Sequence, residues 1–332
     1  MTALVTGATG FIGSAVARAL LARGEAVRVL ARAGGDRRNL AGLDVEIVEG
    51  DLRDAAARRQ AVQGIESLYH VAADYRLWVR DPSVMYATNV DSTTALLKEA
   101  AVAGARRLVY TSSVATLGID PSGNPSTEET PVGLADMVGD YKRSKYLAEE
   151  AVRALVQNDG LPIVIVNPST PVGPRDVKPT PTGRMVIEAA AGRMPAFVDT
   201  GLNLVHVDDV AMGHLLAHDK GKIGERYVLG GEDLTLEQIL ARIAGMTNRR
   251  APTIKIPHGA IMPLAYVVET FARLFNTSEP FITVDGLKLA RKRMFFSSVK
   301  AMRDLGYAAR PCDEGLRDAI TWFRANGALP HM

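Results

Sequence analysis

Ala3-Leu4-Val5-Thr6-Gly7-Ala8-Thr9-Gly10-Phe11-Ile12-Gly13 stands at the head of the chain, and its reading decides the fold. Residues 3–6 form a short apolar run that predicts a strand. Residues 11–24 predict a helix, with Ile12, Val16, Ala19 and Leu20 on one face and Gly24 as its stop. The three glycines between and after them have geometric work to do. Gly7 allows a tight turn, Gly10 lets backbone approach a pyrophosphate, and Gly13 lets the helix pack on the strand. A helix N-terminus then offers free N–H groups and a positive dipole end to phosphates. Any tight strand-to-helix turn can use glycine; its position on the first strand is what points to a dinucleotide.

Outward from this loop the same alternation continues. Strands are predicted at 27–31, 45–48, 67–72, 107–112 and 162–167, with 227–229 later, and helical periods lie between them. Nearly continuous apolar strands separated by helices imply a parallel sheet covered on both faces, with right-handed crossovers. The expected class is α/β: a doubly wound parallel Rossmann sheet with a smaller α+β C-terminal substrate domain. Helices around 82–103 and 141–157 should lie side by side on the outer face. After Pro168 the prolines 171, 174, 179 and 181 crowd one segment and the alternation fails. The expected division is residues 1–170 for the nucleotide-binding domain, with 204–230 returning to it. Residues 171–203 and 231–332 then form the substrate domain.

The 39 basic and 37 acidic side chains leave a net charge of +2, which supplies no long-range attraction for nucleic acid or an anionic membrane. Arg249-Arg250 and Arg291-Lys292-Arg293 read as solvated faces. A single cysteine, Cys312, excludes an intrachain disulfide and fits a reducing compartment. The first residues enter a strand without an apolar leader, so no signal peptide and a cytoplasmic address are expected. The apolar stretch 254–275 is broken by Pro257, Pro263, Glu269 and Arg273 and predicts a core or lid helix, with no integral membrane segment. His214 and His218 have helix-face ligand spacing, but no acid nearby completes a metal site; they read as surface histidines, and no metal is expected.

Two further patterns carry chemistry. A carboxylate at the end of the second strand takes the ribose hydroxyls in NAD-selective folds; here Arg32 stands in its place, with Arg37 and Arg38 following. A guanidinium suits a 2′-phosphate, which favours NADP(H), with NAD possible because Asp36 is a rival ribose ligand. Tyr141-Lys142-Arg143-Ser144-Lys145 places a phenol and an ammonium on one helix face. A phenol with a pKa of about 10 is a poor proton shuttle at neutral pH, and a nearby cation favours its ionised form.

Gly-x-x-Gly-x-x-Gly, Tyr-x-x-x-Lys and the strand end Val109-Tyr110-Thr111-Ser112-Ser113 together resemble the extended short-chain dehydrogenase/reductases, within the NAD-dependent epimerase/dehydratase superfamily, over nearly the whole chain. The resemblance implies that Ser113 polarises a substrate carbonyl beside Tyr141 and Lys145, while Ser112 and Thr111 are capping or turn hydroxyls. Its cofactor contacts would be Gly7, Thr9, Gly10, Phe11, Ile12, Gly13, Asp51, Leu52, Ala72, Ala73, Pro168 and Ser169, with Tyr141 and Lys145 at the nicotinamide ribose. It gives His206-Val207-Asp208-Asp209-Val210 and the segment 298–307 structural roles. The runs 72–78, 167–174 and 292–296 are similar to proteins labelled hopanoid-associated sugar epimerase, near the dihydroflavonol 4-reductases. Asn167 and Thr170 replace the Arg and Asn of the usual nucleotide-sugar epimerase segment, and Ser92 replaces a common Gly. Asp74, Tyr75, Ser113 and Thr170 are candidate substrate contacts, and Trp78 is placed to line the mouth or to cover a dimer-forming helix. The expected function is NADP(H)-dependent hydride transfer on a carbonyl or alcohol of a mostly apolar or polycyclic small molecule, by a homodimer. The alternatives are a nucleotide-sugar epimerase or dehydratase with resident NAD, and a non-catalytic NADP sensor.

Overall fold

The computed structural model describes residues 2–76, 79, 81–263, 265, 268 and 284–329. In chain order the strands are β1 (Thr2–Thr6), β2 (Ala26–Ala31), β3 (Val45–Glu49), β4 (Ser67–His70), β5 (Arg107–Thr111), β6 (Ile163–Pro168), β7 (Thr170–Val172), β8 (Ala196–Val198), β9 (Gly201–His206), β10 (Arg226–Leu229), β11 (Glu232–Thr235), β12 (Ile254–Ile256) and β13 (Arg293–Met294). The helices used below are α1 (Phe11–Ala22), α2 (Ala55–Ala61), α3 (Ser83–Tyr86), α4 (Ser92–Val102), α5 (Gly139–Asp159), α6 (Pro181–Ala190), α7 (Val207–Lys220) and α8 (Leu236–Met246).

Seven strands join in the order β10-β6-β5-β4-β1-β2-β3, and every pairing is parallel. The order reverses between β1 and β4, which is where such sheets open a crevice at their carboxyl edge. Both faces are covered. Val5, Val16, Leu20, Val210 and Leu215 belong to a core beneath α1 and α7, and Leu68, Leu96, Leu97, Ala148 and Val152 to one beneath α2, α4 and α5. Helices α4 and α5 lie side by side, as their apolar faces require.

Strand β4 is shorter than the 67–72 predicted from its apolar run. After His70 the chain leaves the ladder and passes under the glycine turn, where the Ala72 amide donates to Thr6 Oγ1 (3.3 Å) instead of to a strand. Between α3 and α4, residues 87–91 form one turn of π-helix. Such a turn carries one extra residue, and here Ser92 Oγ donates back to the Ala87 carbonyl.

A second layer packs at the same edge. In it β9 pairs antiparallel with β11 and parallel with β7 and β13, and β8 with β12 make a two-stranded ribbon. Its core takes Val186, Leu204, Ile239, Leu316 and Phe323 from β9, α6, α8 and the last helix, Cys312–Ala325. Residues 204–206 are the end of β9 in this layer, and the chain re-enters the large layer at Val207. His206 makes that join: its Nδ1 accepts the Asp208 amide at the head of α7, and its Nε2 reaches Asp318 (3.2 Å). Ser298 Oγ and Tyr307 Oη close on the amide and carbonyl of Gly230. No helix among the described residues is long and apolar enough to cross a membrane. Of the stretch 254–275, residues 254–256 form β12 and residues 258–263, 265 and 268 are helical, as expected there; its other residues from 264 on lie outside the described residues.

Leu97 is fully buried between α4 and the sheet. Leu97→Ala should cost about 3 kcal/mol, the usual loss for a large aliphatic deletion in a packed core. Urea unfolding measures it, and a loss below about 1 kcal/mol would mean that this face is not core.

Candidate active site

The glycine turn is closed by contacts that leave no room for a side chain. Gly7 has φ +73°, and a Cβ on it would lie 2.7 Å from the Ala72 nitrogen. A Cβ on Gly13 would overlap the Gly7 carbonyl. The Gly10 amide donates to Gly7 O (2.9 Å), and Gly10 itself is the N-cap of α1, with no side-chain cap and no acid in the first turn. The N–H groups of that turn are therefore free for an anion. Asn39, buried, braces the loop from outside by donating to Thr9 O (3.2 Å) and Gly10 O (3.3 Å). Nothing in the sequence pattern had marked it. A dinucleotide pyrophosphate fits this cradle.

At the end of β2 the three arginines differ in their commitments. Arg37 pairs with Glu49, and Arg38 grips Asp36, whose carboxyl falls to about 2 under those hydrogen bonds. The rival ribose ligand is thus already engaged. Arg32 is exposed and forms no hydrogen bond among the described residues. Asp51 is bound by the Arg53 amide and guanidinium, its pKa held at about 2 chiefly by Arg53 with a smaller pull from Arg32. Leu52 is buried beside it, and Ala72 and Ala73 are partly buried along the crevice.

Tyr141 stands in the first turn of α5, partly buried, and burial raises its phenol above the ordinary value. Contact with the Ser113 hydroxyl works the other way. Ser113 caps the short turn after β5 by accepting from the Ala115 amide (3.1 Å). That capping role falls to Ser113 rather than to Ser112 or Thr111, and it occupies an oxygen lone pair while leaving the hydroxyl proton to be donated. Thr111 Oγ1 instead meets His214 Nε2 (2.8 Å). Lys145 is buried on the next turn, and its Nζ donates to Tyr110 Oη (3.0 Å) and to Thr111 O (2.9 Å). Burial lowers its pKa to about 8, with the charge of Glu149 pulling upward. The ammonium is therefore anchored on β5, not on the Tyr141 phenol as the helix spacing alone suggested.

Behind these groups runs a buried polar column. Tyr110 stacks on His70 at 5.9 Å between centroids. His70 bonds Thr6 through Nδ1 (2.7 Å) and Thr93 through Nε2 (2.8 Å), tying β1 to α4. Glu149, one turn past Lys145, accepts from Thr116 (2.8 Å), Asn167 (2.8 Å) and Arg226 (3.0 Å). Asn167 also donates to Ser113 O (3.1 Å), so the residue that departs from the epimerase pattern fixes the serine's backbone. Asn89, in the π turn, ties the Asp74 amide and carbonyl to Ser144 Oγ. Such residues are hard to read from sequence, because polar side chains usually face water.

Of the remaining candidates, Pro168 ends β6 and Ser169 follows with a buried Oγ that has no partner among the described residues. That orphan hydroxyl faces the same edge and also fits a cofactor. Thr170 sits in β7, Asp74 pairs with Arg76, and Tyr75 is largely exposed. Trp78 lies outside the described residues. His214, expected at the surface, is fully buried, since α7 turns it inward to Thr111 and the Val210 carbonyl. No group of three metal-binding side chains occurs among the described residues.

Comparison with known proteins agrees with this geometry. The model of the NAD dependent epimerase/dehydratase family matches residues 3–230. A putative dihydroflavonol 4-reductase of Synechocystis sp. is 42% identical over 97% of this chain and 94% of its own. Sterol demethylase protein B of Methylococcus capsulatus is 39% identical over 99% of this chain and 100% of its own. The crystal structure of a nucleoside-diphosphate-sugar epimerase from Pseudomonas aeruginosa superposes with TM-score 0.81 at 27% identity, covering 99% of both chains.

Burial lowers the pKa of His70 to about 3 and of His214 to about 4. Above pH ~6.5 both residues are neutral in the folded and unfolded chain; below it only the unfolded chain takes up the protons. Stability should therefore fall as pH drops from ~6.5 toward those values, by about 1.4 kcal/mol per pH unit for each histidine. Urea unfolding of wild type and His214→Gln at about pH 6 and about pH 5 tests this: the variant should lose one histidine's share of the slope.

Proposed function

This chain belongs to the NAD dependent epimerase/dehydratase family, and we propose that it is an NADP(H)-dependent reductase or dehydrogenase acting on a carbonyl or alcohol carbon of a mostly apolar substrate. The observation that carries the reading is the meeting of Tyr141 and Ser113 at the carboxyl edge of the sheet, beside an anchored Lys145 and across from the glycine cradle.

When bound, nicotinamide supplies the hydride in reduction or takes it in oxidation. Gly7, Thr9, Gly10, Phe11, Ile12 and Gly13 would hold the pyrophosphate, and Arg32 the 2′-phosphate of the adenosine ribose. Asp51, Leu52, Ala72 and Ala73 would line the adenine and diphosphate side, and Pro168 and Ser169 the nicotinamide side. Lys145 has one proton left after Tyr110 and Thr111, enough to donate to the nicotinamide ribose. Ser113 donates to the substrate oxygen, and Tyr141 gives that oxygen its proton during reduction or removes it during oxidation. Burial raises the phenol, and the hydrogen bond from Ser113 works against that rise.

In this reading Asp74, Tyr75 and Thr170 would meet the substrate, and residues 171–203 and 231–332 would form the domain that binds it. The names of the Synechocystis and Methylococcus relatives favour a polycyclic substrate; a hopanoid intermediate fits that description. A homodimer through α4 and α5 and a cytoplasmic setting complete the reading.

Consumption of NADPH with a panel of cyclic ketones should drop at least about 100-fold in Tyr141→Phe with little change in cofactor affinity, since only the proton donor is removed. Unchanged turnover would overturn the mechanism. Arg32→Ala should weaken NADPH binding by about 2 kcal/mol, roughly thirtyfold, and leave NADH binding as it was. Protein that keeps NAD through purification and ignores NADPH would decide for an epimerase instead.

A further inference from the structure

Beside Lys142, the residue after Tyr141 in the chain, the structure holds a cavity of about 100 Å³ with an unusual lining. Its apolar wall is Leu117, Ile119, Pro131, Met137 and Val138, and its charged groups are Lys142, Lys288, Lys292 and Asp136. The wall is firmly built: a Cβ on Gly118 would overlap the Pro131 carbonyl, so the segment leaving Ser113 and the loop before α5 are in backbone contact. The lone acid, Asp136, accepts the Gly133 amide at its Oδ2 (2.9 Å). Lys288 has an interaction of its own, so Lys142 and Lys292 are the two cations that matter at the cavity.

The basic run that sequence alone assigned to a solvated face is divided. Arg293 points to Asp199 (3.3 Å), whereas Lys292 turns to the cavity. Lys292 and Lys142 form no ion pair among the described residues, and they lie close enough to repel. Burial, with Lys292 second, brings the Lys142 ammonium down to about 8. Bringing like charges together around a part-buried space is unfavourable unless an anion joins them.

We infer that this cavity binds the anionic end, a carboxylate or phosphate, of an otherwise apolar substrate, with Lys142 and Lys292 as its ligands and the apolar wall along its chain. The inference rests on the proposed function for the location of the reacting carbonyl. Lys142 follows Tyr141 directly, and residues 117–119 continue from Ser113. An anion held there fixes the substrate at a set distance from both groups, which makes Lys142 and Lys292 specificity-determining residues.

Calorimetry on the NADPH-saturated protein, with octanoate, octyl phosphate and uncharged octanamide as probes, tests this without requiring turnover. At least one anionic probe should bind tenfold or more tightly than octanamide, and which one does so separates carboxylate from phosphate recognition. Lys142→Met and Lys292→Met should each remove most of that preference while leaving NADPH affinity unchanged. Lys292 is exposed, so its variant remains informative if Lys142→Met misfolds. Equal affinities for all three probes, or a preference that survives Lys292→Met, overturns the inference. A protein that discriminates the probes through these lysines yet reduces no ketone would overturn the proposed function alone.

Discussion

Everything at the working edge of this molecule depends on how closely main chain meets main chain at Gly7. There the turn out of β1, the first turn of α1 and the exit from β4 approach within a side chain's width, and neither Gly7 nor Gly13 has room for a Cβ. Close approach has a structural consequence beyond the anion cradle. It forces the chain after His70 out of its ladder, which opens the crevice at the point where strand order reverses. A bulkier residue at either glycine would have to separate the helix from the strand, and the free N–H groups of α1 would lose their aim.

From that crossing a polar column carries position inward to the catalytic helix. Thr6, His70 and Thr93 link β1 to α4; Tyr110 stacks on His70; Lys145 rests on Tyr110 and Thr111. Every member is buried and hydrogen-bonded, so the column resists rearrangement, because any broken link leaves an unpaired polar group in the core. On the other side, Glu149 and Asn167 lock the Ser113 backbone to α5. The two networks hold the phenol and the serine hydroxyl in register without touching a ligand, which is what preorganised catalysis requires.

Much of this was legible in the sequence, and the parts that were not share a cause. Alternation of apolar strands and helical periods determines the parallel sheet, and the spacing of Gly7, Gly10 and Gly13 determines its first crossover. Ser113, Tyr141 and Lys145 are brought to one edge because each sits at a strand end or on the helix beside it. What local pattern does not carry is the choice of partner. Tyr-x-x-x-Lys places an ammonium below a phenol, yet only the packed structure reveals that the ammonium is spoken for by Tyr110. His214 has the spacing of a surface residue on α7 and is buried, because its partner Thr111 lies 103 positions away in the chain. Lys292 likewise reads as one of three solvated cations until the fold sets it facing Lys142.

The electrostatics of the edge follow from these placements. Burial alone works against a proton donor at Tyr141, raising the phenol, and works equally against Lys142 and Lys145, drawing both down to about 8. Each effect is the same desolvation acting on groups of opposite charge type: it carries the ammonium groups toward the working pH and the phenol away from it, so the hydrogen bond from Ser113 has to work against burial at Tyr141. An anionic occupant of the lysine-lined cavity would push the other way on Lys142, holding it charged. Anion binding and the protonation of Lys142 would then be linked, each favouring the other.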